Sequence, residues 1–254
     1  MAETPAAILR VEDLHKRFGG VVATDGVSLA VARGEVHALI GPNGAGKTTL
    51  VHQLSGALRP DRGRVAFDGT DVTAMAFHDR VRIGLARSYQ ITSIFRKFSV
   101  LENMVLPVQA RSGSSLSFWR PRAAEAALFD EARRVLAAVG LAGREGVAAG
   151  TLAHGEQRQL EVGLALATNP RLLLLDEPMA GMGPEDSERM IGLVAGLKGS
   201  ISVLLVEHDM DAVFRLADRI SVLVSGRVIA SGPPAAIRAN EEVKRAYLGE
   251  EVAA

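Results

Sequence analysis

The stretch Gly41-Pro42-Asn43-Gly44-Ala45-Gly46-Lys47-Thr48-Thr49 fits the pattern G-x-x-x-x-G-K-[ST], and its neighbours decide the fold. It follows the apolar run Val36–Ile40 and precedes a helix predicted over residues 47–58, stopping before Pro60. A strand, a glycine loop and a helix in that order make a phosphate cradle. Glycines let backbone N–H groups close around phosphate oxygens with no Cβ in the way. The helix N-terminus adds its dipole and its unpaired N–H groups. The motif places Lys47 on the β- and γ-phosphates and the Thr48 hydroxyl on Mg²⁺.

Working outward, short apolar runs alternate with helical stretches, which predicts an α/β fold. The runs are 8–11, 27–31, 36–40, 64–67 (closed by the turn pair Asp68-Gly69), 171–175, 201–206 and 220–224. The last three are continuously apolar and too short for good helices, as in parallel strands buried on both faces. Residues 220–230 read as a hairpin turning at Ser225-Gly226. From about 91 to 169 the pattern is mostly helical. Pro121 opens the Ala-rich stretch 123–139, and Gly140 is its stop signal. The expectation is one domain over 1–254, with a core of about 1–90 and 170–254 and an inserted helical subdomain of about 91–169.

Composition narrows the function. The 254 residues hold 29 Lys plus Arg and 29 Asp plus Glu, so the formal net charge is zero. General nucleic-acid binders need surplus positive charge, so nucleic acid is not an expected partner. With no Cys, thiolate zinc sites and thiol nucleophiles are excluded. No apolar run approaches the ~18 residues that cross a bilayer. The opening MAETPAAILRVED lacks the basic and apolar regions of a signal peptide, which predicts a cytoplasmic chain.

Two further clusters follow buried strands. The run 171–175 ends in Asp176-Glu177-Pro178, placing two carboxylates where open α/β sheets bind ligands. Asp176 suits Mg²⁺ through a water, and Glu177 suits polarising a water that attacks the γ-phosphate. The run 201–206 ends in Glu207-His208-Asp209, which brings His208 towards the same phosphate.

Leu152-Ala153-His154-Gly155-Glu156 lies just before the Asp-Glu strand, and here the chain resembles the ATP-binding cassette ATPases, the motor subunits of ABC transporters. The family signature L-S-G-G-Q falls on these five residues. The resemblance covers nearly the whole chain in order. Phe18 stands at the adenine-stacking position and Gln90 at the Q-loop, between core and helical subdomain. Residues 179–183 stand at the D-loop and His208 at the switch histidine. The resemblance implies a P-loop NTPase fold with a mainly parallel core sheet, an antiparallel β part and an inserted α-helical subdomain.

It also implies roles. ATP is gripped by Gly41, Pro42, Asn43, Gly44, Ala45, Gly46, Lys47, Thr48 and Thr49, with Asn43, Gly44 and Gly46 lending backbone and Thr49 meeting the α-phosphate. Thr48 and Gln90 hold Mg²⁺ directly and Asp176 holds it through water. Glu177 acts as base or orients water, His208 steadies the γ-phosphate, and Lys47 offsets developing charge. The signature closes over nucleotide held by a second ATPase subunit, so a homodimer or heterodimer is implied. Two residues depart from the family pattern: Ala153 replaces the usual Ser, and Gly183 stands where the D-loop often has Asp.

The finer pattern is similar to the ATPases of branched-chain and hydrophobic amino acid importers. The matching stretches are Arg17-Phe18-Gly19-Gly20, Gly84-Leu85-Ala86-Arg87-Ser88-Tyr89-Gln90, DEPMAGMG over 176–183, and Arg245-Ala246-Tyr247-Leu248-Gly249-Glu250. Residues 93–98 also resemble the lipopolysaccharide-export cassette, and a urea-type cassette stays open in the same branch. A soluble ABC ATPase acting on DNA or ribosomes is the alternative of another class. The importer reading implies membrane permease subunits, a solute-binding protein reached through the complex, and a peripheral place on the cytoplasmic membrane face. Ile91, Ile94, Phe95, Phe98 and Leu101 either offer apolar surface to a permease or fill the subdomain core. Phe118-Trp119 either touch a partner or lipid headgroups, or pack on their own helices.

Overall fold

The structure, a computed structural model, describes residues 7–88, 94–111 and 122–248. The chain opens with strands β1 (Ala7–Phe18), β2 (Val21–Ala32) and β3 (Val36–Ile40), helix α1 (Lys47–Ser55), strands β4 (Arg62–Phe67) and β5 (Thr70–Asp71), and helix α2 (Phe77–Arg82). Strand β6 (Leu85–Arg87) leads to helices α3 (Val100–Arg111), α4 (Arg122–Ala138) and α5 (His154–Ala167), strand β7 (Leu172–Asp176) and helix α6 (Pro184–Leu197). The chain closes with β8 (Ser202–Val206), α7 (Met210–Leu216), β9 (Arg219–Val224), β10 (Arg227–Gly232), α8 (Pro234–Ala239) and α9 (Glu241–Val243). It forms two compact units, one of residues 1–80 with 197–254 and one of residues 81–196. Gln90, Ile91, Phe118, Trp119 and Pro121 lie outside the described residues.

In the first unit, β1 and β2 bury alternate residues, among them Leu9 and Val11 on β1 and Val27, Leu29 and Val31 on β2. That period of two leaves one face to the core. They pair antiparallel in the order β2-β1-β4-β5, with Val11 opposite both Leu29 and Val65. Strand β3 is buried at all five positions. Its neighbours β8 and β9 run parallel to it, with Leu39 opposite Val206 and Ile40 opposite Val222. β10 folds back antiparallel on β9 through Ser225 and Gly226, both at positive φ, as a tight hairpin requires.

Helix α1 ends at Ser55, three residues short of the expected end at 58. Gly56 takes the left-handed conformation (φ 82°) and its N–H donates to the Gln53 carbonyl. The fully buried guanidinium of Arg80 closes this end. It donates to the carbonyls of Gln53 (2.9 Å), Leu54 (2.6 Å), Thr73 (3.1 Å) and Met75 (3.0 Å). Burial pulls the Arg80 guanidinium down to about 10, opposed by Asp71, so it stays charged at neutral pH. A cation here also complements the helix dipole. Arg80→Met should therefore cost about 3–5 kcal/mol of stability, because several buried carbonyls lose their donor at ~1–3 kcal/mol each. Urea denaturation measures this; a loss below ~1 kcal/mol would show the carbonyls find other donors.

In the second unit, β6 and β7 are parallel, with Leu85 opposite Leu172 and Arg87 opposite Leu174. β7 is buried throughout. Helices α3, α4 and α5 share a core built on Met104, Leu136 and Leu160. α4 stops before Gly140, whose φ of 78° is the left-handed stop expected there.

Candidate functional site

In the first unit, Gly41–Gly46 bridges β3 and α1 with a glycine-dependent backbone. Gly41, Gly44 and Gly46 have φ of 149°, 78° and 105°. A Cβ on Gly41 would sit 1.9 Å from the Leu223 carbonyl oxygen of β9, and one on Gly46 would sit 2.1 Å from that of Ala23 on β2. At Gly44 nothing lies within 4 Å, so only its dihedrals demand glycine. The hairpin turn completes the clamp, because the Gly226 N–H donates to the Ala45 carbonyl at 2.8 Å. Asn43 and Gly44 form the exposed tip, while Pro42 is half-buried and Ala45 buried. Lys47 opens α1 nearly buried, and its Nζ donates to the carbonyls of Gly41 (2.5 Å) and Pro42 (3.1 Å). The ammonium is thereby folded back over the loop. Thr48 is exposed and Thr49 half-buried on the first turn of α1.

Because β8 lies beside β3 with Leu39 opposite Val206, Glu207 and His208 leave the sheet at the same end as the glycine loop. The His208 side chain is 59% exposed. Glu207 beneath it is buried, and its Oε2 accepts from the backbone N–H groups of His208 (2.9 Å) and Asp209 (3.4 Å). Glu207 thus fixes the turn that presents His208, a part sequence reading left without a role. Phe18 ends β1 half exposed, with Lys16 Nζ 5.7 Å from its ring centre, beside the exposed Val21 and Val22. This apolar surface suits the flat face of a base.

In the second unit, Asp176 ends β7 and is 2% exposed. Its Oδ2 accepts from Arg87 Nη2 at 2.8 Å, and its Oδ1 has no hydrogen-bond partner among the described residues. Glu177 follows at φ 49°, a left-handed backbone uncommon for a non-glycine residue. Such conformations cost roughly 1–3 kcal/mol and cluster at functional sites. Mg²⁺ prefers hard oxygen ligands and keeps several waters or phosphate oxygens. In the second unit the buried Oδ1 of Asp176, without a partner among the described residues, is an oxygen of that kind, and in the first unit the exposed Thr48 hydroxyl is another; Gln90 lies outside the described residues.

Leu152 is buried in the helical core, anchoring the signature segment by roughly 1.5–3 kcal/mol. α5 begins at His154. Ala153 is its N-cap and its methyl accepts nothing, which costs about 1 kcal/mol against Ser. Glu156 supplies the other half of a capping box. Its Oε2 accepts from the Ala153 N–H at 3.1 Å, while Arg144 pairs with its Oε1 at 2.8 Å. Ala153 and His154 are exposed, but Gly155 is buried against Asp186 of α6, where a Cβ would fall 2.3 Å from the carboxylate. A Cβ on Gly181 would meet His154 Cε1 at 3.4 Å, so residues 179–183 and the signature touch.

Known proteins of one family resemble this chain. The family model described as ABC transporter matches residues 24–180, and that described as branched-chain amino acid ATP-binding cassette transporter matches 227–253. The chain is 38% identical over 250 residues to the high-affinity branched-chain amino acid transport ATP-binding protein BraF of Pseudomonas aeruginosa, covering 96% of this chain and 98% of the relative. It is 36% identical to the corresponding LivG protein of Escherichia coli, with the same coverage. The ADP conformation of an ATP-binding cassette of an ABC transporter superposes with a TM-score of 0.84 at 32% identity, over 96% of this chain and 99% of that one.

Proposed function

The chain belongs to the ATP-binding cassette family of transporter ATPases, and on that premise we propose that it is the motor subunit of an importer of branched-chain amino acids. The observation that carries the subtype is the second family match, over 227–253, together with the likeness to BraF and LivG. It favours this reading over the lipopolysaccharide-export, urea-type and soluble alternatives. Among the described residues no helix is long and apolar enough to cross a membrane, so separate permease subunits would carry the solute.

The roles are those that membership of the family implies for these residues. Phe18 stacks on adenine. The loop from Gly41 to Thr49 turns backbone N–H groups and Lys47 onto the phosphates. Thr48 and Gln90 would hold Mg²⁺ directly and Asp176 would hold it through a water, and the bound ion would neutralise charge on the phosphate oxygens. Glu177 polarises the attacking water, and His208 meets the γ-phosphate. The signature 152–156 contacts nucleotide held by a second ATPase subunit, and closure of that dimer is what ATP drives. A solute-binding protein delivers the amino acid through the complex. Of the candidate permease contacts, Ile94 is buried and Leu101 packs on the helical core, whereas Phe95 and Phe98 stack at 5.3 Å and stay exposed. That pair is the surface a permease helix would cover.

Lys47→Ala tests the phosphate grip. Titration calorimetry should show ATP affinity reduced at least tenfold, since a charge-assisted contact worth ~1.5–3 kcal/mol is lost. Unchanged affinity contradicts the assignment.

A further inference from the structure

We propose that Arg87 is a positioning residue for Asp176, the carboxylate assigned above to Mg²⁺; the inference rests on the ATPase reading. Strands β6 and β7 are parallel, with Arg87 opposite Leu174, so the two residues end neighbouring strands at one edge. Arg87 Nη2 donates to Asp176 Oδ2 at 2.8 Å, and the two side chains are 4% and 1% exposed. The Ser88 N–H donates to the Leu174 carbonyl at 3.0 Å, continuing the strand ladder one residue beyond Arg87. The backbone carrying Arg87 is therefore tied to the strand carrying Asp176.

Burying a carboxylate this deeply is costly unless a counter-charge and a fixed hydrogen bond meet it. Arg87 supplies both from a planar, permanently charged group that holds one orientation better than a Lys ammonium does. With Oδ2 tied to Arg87, Oδ1 is the oxygen left for the hydrated metal, and it is the atom with no partner among the described residues. The pair divides the carboxylate between an internal cation and an incoming one.

Partners of this kind, one shell behind a metal ligand, typically change metal affinity 10–100-fold when removed. The full-length wild type, Arg87→Met and Arg87→Lys are compared by binding of a fluorescent ATP analogue in EDTA and across a Mg²⁺ titration, with thermal melts alongside. Metal-free affinity should stay within about twofold of wild type. The Mg²⁺ concentration giving half of the metal-dependent gain should rise roughly 10–100-fold in Arg87→Met and less in Arg87→Lys. A wild-type or lower Mg²⁺ midpoint in folded Arg87→Met overturns the proposal, as does an equal loss of affinity with and without metal. If Arg87→Met does not fold, a folded Arg87→Lys with the wild-type midpoint overturns it. A wild-type chain that binds no ATP analogue under either condition instead sinks the ATPase reading, and the inference with it.

Discussion

Glu177→Gln loses ATP turnover by roughly 10²–10⁴-fold while keeping its affinity for ATP. The amide has the shape of the carboxylate and fits the same left-handed backbone (φ 49°), but it cannot take a proton from water. The phosphate loop Gly41–Lys47 keeps the contacts with Ala23, Leu223 and Gly226 that shape it. ATP should therefore bind and stay, and a dimer held by uncleaved nucleotide should accumulate. Phosphate release measures the first effect, and size-exclusion chromatography with and without ATP measures the second. A variant that hydrolyses at the wild-type rate removes Glu177 from the chemistry. One that stops hydrolysing yet stays monomeric with ATP removes the shared-site mechanism.

Gly46→Ala should nearly abolish nucleotide binding, whereas Gly44→Ala should only weaken it. Both positions have positive φ, which costs a side-chain-bearing residue ~1–2 kcal/mol. At Gly44 that is the whole penalty, since the space around it is open. At Gly46 the new methyl would overlap the backbone carbonyl of Ala23, and backbone in a paired strand cannot swing aside as a flexible side chain can. The loop must deform, so a stability loss of roughly 3 kcal/mol or more is expected, with ATP affinity falling at least tenfold. Denaturation midpoints and calorimetry on the two variants decide it. Equal effects at both positions would show that conformation alone, and not the approach of β2, makes Gly46 necessary.

Much of the site was legible because its chemistry is local in the chain. The strand, loop and helix around Gly41–Thr49 are consecutive, so spacing alone announces them. The same holds for Asp176-Glu177 and His208, each directly after an apolar run too short for a good helix. The residues that escaped notice are charged ones with distant partners. Arg80 drew no reading from the sequence, yet it caps Gln53 and Leu54, 27 and 26 positions away. Arg87 and Asp176 are separated by 89 positions. Glu207 sits beside His208 in every reading, but only its burial shows that it shapes the turn.

The amino-acid sequence by itself determined the α/β class, the order of the strands along the chain apart from β5 and β6, the glycine loop and the two strand ends bearing acids and histidine. These follow from periodicity, glycine placement and short spacings, all of which act over a few residues. Tertiary structure alone decided which backbones press on Gly41 and Gly46, where α1 stops, and which arginines are buried counter-charges. Those outcomes depend on groups brought together across many tens of residues. A guanidinium has the same formula in water as it has beside a buried carboxylate, and only packing determines which environment it meets.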